Sequence, residues 1–417
     1  MVIAALALRS LWNRRGTALL TVFAIAVSVA LLLGVEKVRH ETRTSFANTI
    51  SRADLIVGAR SGTLNLLLYS IFRIGDATHN VSWETYRKIA DHPDVAWTIP
   101  LSLGDSHRGY RVVGTTTEYF DQYRYARTER LEFARGAPFV TAHDAVLGAE
   151  VARALGYRLG DALEIGHGVA AVSFAPHHEH PFHVAGILEP TATPVDRTVH
   201  VSLEAIEAIH FDWQGIDRRT VAEPSGTDRT LLTPREITAF IVGMNSPVAT
   251  LQMQRAINEY RDEPLLAILP GVALQQLWDL VGVAERALMI VASCVVLAGL
   301  LGMLTAILTT LNERRREMAI LRAVGARPRH VFALLVTEAA LLALAGIGCG
   351  VLLVYALLAV ARPVLAAQYG IYIAISGLTR YDALLIGIVF GAALLLGALP
   401  AWRAYRNSLA DGMTIRL

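Results

Sequence analysis

The chain is 417 residues long and 53% apolar, with a mean hydropathy of +0.42, yet 18% of its residues are charged. This balance excludes an ordinary soluble protein and predicts membrane spans joined to a sizeable aqueous domain. The formal charge of +2 hides a segregation: segment 36–286 carries 24 Lys/Arg against 31 Asp/Glu, so the cationic surplus lies in the rest of the chain.

Residues 1–16 contain Arg9, Arg14 and Arg15 and read as an interfacial helix ahead of a first span, 17–35. A helix crossing a hydrocarbon core about 30 Å thick needs about 20 apolar residues. This run is longer than the roughly 7–15 apolar residues of a secretory signal peptide, which favours an uncleaved anchor. Val35, Val38, Thr42, Phe46 and Ile50 continue the helical spacing and predict a stalk. A strand at 54–58, a helix at 83–90 and a strand at 95–101 then form one β-α-β unit. A second unit comprises a strand at 241–243, a helix at 251–260 and a strand at 265–269, a weak internal repeat. Inside the first unit, 64–72 is unusually apolar for a segment outside the membrane. Its Leu66, Leu67, Leu68, Ile71 and Phe72 fit either a surface helix that touches lipid or a hydrophobic client, or a buried core helix.

If the two units make one lobe, residues from about 105 to 235 form a second, inserted lobe. It reads as strands at 110–114, 162–165, 182–188 and 198–202, with a short helix at 150–155 stopped by Gly156. The inserted lobe also carries His177, His178, Glu179, His180 and His183. Neutral imidazoles with a carboxylate suit zinc or copper, but neither HExxH nor a paired CxxC accompanies them, and a solvated polar loop is the other reading. His143 and Asp144 are the only adjacent His-Asp pair, and no nucleophile or metal constellation for an external hydrolase accompanies them. The external domain has no cysteine, so at about 250 residues it folds on its core alone.

Leu274, Leu277, Trp278 and Val281 mark a second stalk, followed by a span at 287–311. Segment 312–330 carries six arginines (Arg314, Arg315, Arg316, Arg322, Arg327 and Arg329) beside Glu313 and Glu317. Spans at 331–361 and 383–401 follow, separated by a loop at 362–382, and residues 402–417 form a basic tail. Cationic residues of short loops stay on the cytoplasmic side. The N-terminus, 312–330 and the tail therefore share the cytoplasmic face, and 36–286 lies outside. Glu338, well inside the third span, is an intramembrane polar candidate, with structural pairing near the cytoplasmic face favoured over proton relay. Gly346, Gly348 and Gly350 in the third span, and Gly387 and Gly391 in the fourth, read as close helix-packing positions, including at a dimer seam.

In 312–330 the charges alternate with Met318, Ile320, Leu321 and Val324, an apolar series that a purely topological loop does not need. Gly325 offers a helix stop and Pro328 a new start. The residues Glu317, Ala319, Leu321, Arg322, Ala323, Gly325 and Ala326 match the pattern E-x-A-x-L-R-A-x-G-A, and here the chain resembles the FtsX/MacB-like permeases of ABC systems. The resemblance extends to Leu147, Gly148, Ala149, Glu150, Val151 and Ala152, to Leu159, Gly160 and Asp161, to 182–188, and to the Pro-Ala-Trp-Arg-Ala run at 400–404.

The resemblance implies a membrane α-helical protein with four transmembrane helices and an α+β extracytoplasmic domain of two lobes, 36–286 being a MacB-like periplasmic core. It further implies a bacterial inner-membrane subunit, a homodimer or pseudo-dimer, coupled to two copies of a cytoplasmic ABC ATPase. Its ATPase-coupling residues would be Glu313, Glu317, Met318, Ala319, Leu321, Arg322, Ala323, Gly325 and Ala326. Such permeases extract lipoproteins or haem, drive periplasmic efflux partners or switch on cell-wall hydrolases, which implies a periplasmic protein or lipoprotein partner. The chain holds no G-x-x-x-x-G-K-[ST] loop, so ATP and its magnesium are expected in the partner, with no cofactor here apart from zinc at the histidine cluster. The competing reading is a membrane-anchored periplasmic metal-binding receptor or sensor.

Overall fold

The computed structural model describes residues 2–126, 128–167, 181–213, 233–313, 326–369 and 377–406. They divide into a helical unit, 1–42 with 282–369 and 373–417, and an α/β unit, 43–281 with 370–372.

Among the described residues, four helices contain stretches long and apolar enough to cross a membrane: Arg15–Thr49, Pro270–Thr309, Pro328–Arg362 and Arg380–Trp402. Hydrocarbon offers no partner for backbone N–H and C=O, so an apolar run of this length satisfies them within itself as helix. The first and second helices extend through the stalks expected from the apolar spacing, the second running Pro270–Glu313. Pro270 and Pro328 stand at helix starts, where a missing N–H costs nothing. A preceding helix, Val2–Asn13, buries Ala7, leaves Leu6, Leu8 and Trp12 exposed, and packs against the third spanning helix.

Small residues let the spans approach closely. A Cβ on Gly346 would lie 2.6 Å from Ile25, and one on Gly350 would lie 2.8 Å from the Ala26 carbonyl, so both seat the third span on the first within one chain. Ser28 Oγ donates to the Val295 carbonyl at 3.1 Å, tying the first span to the second. Gly397 faces Ala339 between the fourth and third spans. Gly348, Gly387 and Gly391 meet nothing within 4 Å among the described residues. Of the glycines read as packing positions, Gly346 and Gly350 are the ones in close contact with another helix among the described residues.

The α/β unit is organised by one 11-stranded sheet. Its principal strands are β1 (Leu55–Ala59), β2 (Val95–His107), β3 (Tyr110–Thr115), β4 (Phe133–Gly136), β5 (Asp144–Leu147), β6 (Phe182–Leu188), β7 (Thr198–Ser202), β8 (Ala239–Met244) and β9 (Leu265–Ile268). The principal helices are α1 (Trp83–Ala90), α2 (Ala149–Leu155), α3 (Leu203–Trp213) and α4 (Pro247–Asn258). The order across the sheet is β9-β1-β8-β2-β3-β7-β5-β6-β4.

The two β-α-β units, β1-α1-β2 and β8-α4-β9, interleave so that every neighbouring pair among their strands is antiparallel. Ser82 caps α1 by accepting from the Thr85 N–H, and Ser246 caps α4 at Ala249 with Pro247 behind it. The same sheet continues through the far half of β2, which pairs with β3 after its near half has paired with β8. Strands β3 and β7 run parallel, as do β5 and β6. Helix α2 ends at Gly156 with φ +74°, a left-handed conformation that favours glycine. Strands β1 and β7 are buried along their whole length, as expected where both faces of a sheet are covered.

Strand β2 runs to His107, six residues past the expected end. Residues 102–107 are mostly polar, and tertiary partners hold them: Tyr157 Oη lies 3.0 Å from His107 Nε2 and the Glu164 carbonyl 2.5 Å from Nδ1. Strands β4 and β5 and helix α3 also form without having been anticipated.

The reading of Leu66, Leu67, Leu68, Ile71 and Phe72 as a client or lipid contact is corrected. The segment is a helix, Thr63–Leu67, that widens into a π turn, Leu68–Phe72. Leu66 and Leu67 are 0% exposed, Ile71 3% and Phe72 6%, and Leu68 is half-buried. They pack with Ile56, Ile99, Leu101 and Ile241, so the alternative of a core helix holds. An apolar stretch beside a sheet is buried by it, which removes it from any surface.

Candidate functional site

Glu313 closes the second spanning helix. Glu317, Met318, Ala319, Leu321, Arg322, Ala323 and Gly325 lie outside the described residues, and the chain resumes at Ala326. The third helix starts at Pro328, where the Arg327 N–H donates to His330 Nδ1 at 3.2 Å and the His330 N–H returns to the Arg327 carbonyl at 2.8 Å. Two long helices, ending at Glu313 and starting at Pro328, therefore flank residues 314–325.

Next to this end of the helical unit, Glu338 is buried and lines a small cavity with Ser10, Arg14, Thr17 and Thr21. The hydroxyls of Thr17 and Thr21 donate to carbonyls one helical turn back, at 3.1 and 2.9 Å. The intramembrane carboxyl thus sits among the polar groups of the first span and the residues preceding it.

A second polar group occupies the other end of the helical unit. Lys37 and Asp382 lie 3.4 Å apart, both almost fully buried. Lys37 Nζ also donates to the Gly377 carbonyl at 2.5 Å and sits 5.8 Å from the ring centre of Tyr355. Glu36 and Glu41 are buried beside it on the first helix, Glu36 pairing with Arg39 at 2.8 Å. Lys37 and Asp382 stand at opposite ends of the chain, so the group forms no local pattern in the sequence. The available signal was a pair of opposite charges, each just beyond an apolar run.

In the α/β unit a third polar group is sealed inside the core. The Tyr119 ring lies 5.0 Å from that of Tyr123, stacked, and 5.0 Å from that of His200, tilted. His200 Nδ1–H donates to the Val146 carbonyl at 3.3 Å, and Tyr123 Oη donates to the Thr49 carbonyl at 2.6 Å. Burial, with the guanidinium of Arg73 nearby, holds the His200 pKa down at about 3. Burial also raises the phenols of Tyr119 and Tyr123 and lowers the imidazole of His107.

Of the histidine cluster, His177, His178, Glu179 and His180 lie outside the described residues. His183 is exposed on β6, opposite Asp144 of β5. Among the described residues no group of three or more His, Cys, Asp or Glu is arranged to hold a metal.

Residues 289–409 match the FtsX-like permease C-terminal family model, and residues 18–260 match the MacB-like periplasmic core domain. No curated protein matches the chain significantly. One similar solved structure is the periplasmic region of MacB from Actinobacillus actinomycetemcomitans, at 12% identity over 55% of this chain and 94% of that one, with a TM-score of 0.35. Another is the extracellular domain of the noncanonic ABC-type transporter YknZ from Gram-positive bacteria, at 10% identity over 51% of this chain and 98% of that one, with a TM-score of 0.31.

Proposed function

Because the chain belongs to the family of FtsX-like permeases with a MacB-like periplasmic core domain, we propose that it couples a separate cytoplasmic ATPase to movement of its external domain. The family matches, covering most of the α/β unit and the last three spans, carry this reading. On it, the N-terminus, 312–330 and the tail are cytoplasmic, two ATPase copies serve two permease copies, and Glu317 to Ala326 form the docking element.

The helix Pro270–Glu313 supports the route of transmission, because it begins among residues of the α/β unit and ends at the docking element. At 1.5 Å per residue its 44 residues extend about 66 Å as one hydrogen-bonded rod. An axial or rotational displacement at Glu313 is carried along such a rod. The movement serves export or extraction of a hydrophobic client, or a metal-linked envelope function.

The test is purification of the tagged full chain from its native host, followed by ATPase assay of whatever soluble ATPase accompanies it. The expected result is a co-purifying ATPase whose activity changes about tenfold or more with Leu321→Asp, a change of about 1.4 kcal/mol in the coupling barrier. No associated ATPase, or activity indifferent to that substitution, overturns the proposal.

A further inference from the structure

We propose that Lys37 and Asp382 form a charge clamp that sets the register of the first span against the fourth, making them positioning residues for the movement described above. The role in movement rests on the permease reading, whereas the clamp itself rests on geometry. Lys37 is 3% exposed and Asp382 1%, and they come from helices whose contacting residues stand 340 and 345 positions apart in sequence.

Asp382 is prepared for this role by its own helix. Its Oδ2 accepts the Thr379 N–H at 2.8 Å, while Thr379 Oγ1 accepts the Asp382 N–H at 3.1 Å, a reciprocal cap on the start of the fourth span. A carboxylate is favoured at a helix N-terminus and an ammonium is not. Lys37 therefore reaches this position only because the Asp382 carboxylate and the Gly377 carbonyl receive it together.

The neighbouring charges keep the arrangement polar on all sides. Glu36 is buried and holds Arg39, which also lies in the field of Glu285 at the start of the second span and of Tyr381 at the start of the fourth. Tyr355 of the third span lies over Lys37. All four spans thus contribute to one level of the bundle. Apolar helix faces slide with little penalty, but a hydrogen-bonded ion pair has one low-energy register. Removing Lys37 leaves the Asp382 carboxylate buried without its ion-pair partner, whereas neutralising both does not.

The test uses the full chain in lipid nanodiscs with Cys294 and Cys349 replaced by alanine. Spin labels are placed at Val38 and Leu384, which are exposed on the first and fourth helices. The parent and Lys37→Arg are expected to show one narrow dipolar distance. Lys37→Met is expected to broaden it at least twofold and lower the melting temperature. Lys37→Met combined with Asp382→Asn is expected to recover the melting temperature while the distance stays broad, since the cap to Thr379 survives and the charge pair does not.

An unchanged distance in Lys37→Met overturns the clamp, as does a narrow distance in the double variant. If Lys37→Met does not fold, the double variant decides by its distance alone. None of these readouts needs an ATPase. Failure of the clamp therefore leaves the permease reading standing, and loss of ATPase association leaves the clamp result standing.

Discussion

His200 makes the α/β unit sensitive to acid in a way that can be calculated from its surroundings. The ring is fully enclosed by Tyr119, Phe120 and Val146, with Arg73 nearby, and its pKa is held at about 3 against an ordinary 6.5. In the folded chain it therefore stays neutral through mildly acidic pH, while in the unfolded chain it takes up a proton below 6.5. The unfolded state binds more protons across this interval, so stability is fully present above pH 6.5 and falls towards pH 3 at about 1.4 kcal/mol per unit. Between pH 7 and pH 5 the loss from this group is about 2 kcal/mol. For a domain of about 240 residues it lowers the melting temperature by about 4–8 °C. The perturbation is His200→Leu, which has similar volume and cannot titrate; it forfeits the 3.3 Å hydrogen bond to the Val146 carbonyl and the ring contacts to Tyr119 and Phe120, losses that do not depend on pH in this range. Thermal melts of both full-length proteins in the same detergent, followed by intrinsic fluorescence from pH 7 to pH 4.5, isolate the term, since all other titrating groups are shared. The variant is expected to lose less stability on acidification by the stated amount. Identical slopes for the two proteins would refute the assignment of a neutral, proton-excluding His200.

Tyr123→Phe removes the buried donor to the Thr49 carbonyl, at the end of the first long helix, and is expected to cost about 1–3 kcal/mol in chemical denaturation. Gly148→Ala places a Cβ 2.2 Å from the Val195 carbonyl and 2.5 Å from the Asp196 backbone, neither of which can yield without moving the turn. Limited proteolysis is expected to cut the inserted lobe of this variant far faster than the parent. Gly346→Val drives a side chain into Ile25, whereas Gly348→Val on the same helix meets nothing among the described residues. Melting in detergent is expected to fall for the first by an amount typical of overpacking, about 1–3 kcal/mol, and to change little for the second.

The four spanning helices were legible from the sequence because hydrocarbon leaves an apolar run of sufficient length no other structure. The family resemblance was equally legible from Glu317 to Ala326, where residue identity itself carries the signal. The β-α-β repeat could be seen from alternating apolar runs, and the stop of α2 from Gly156, since both depend on neighbours a few positions away. The sequence left open whether Leu66, Leu67, Ile71 and Phe72 face lipid, a client or the core. Their composition is the same in all three cases, and only the sheet packed over them decides. The far half of β2 escaped notice because its polar residues are held by partners at 157 and 164. Lys37 and Asp382, and likewise His200 with Tyr119, became sites only when residues distant in sequence met in a space closed to water. Local pattern determines which element a segment forms. Desolvation depends on what covers it, and that was decided by tertiary packing alone.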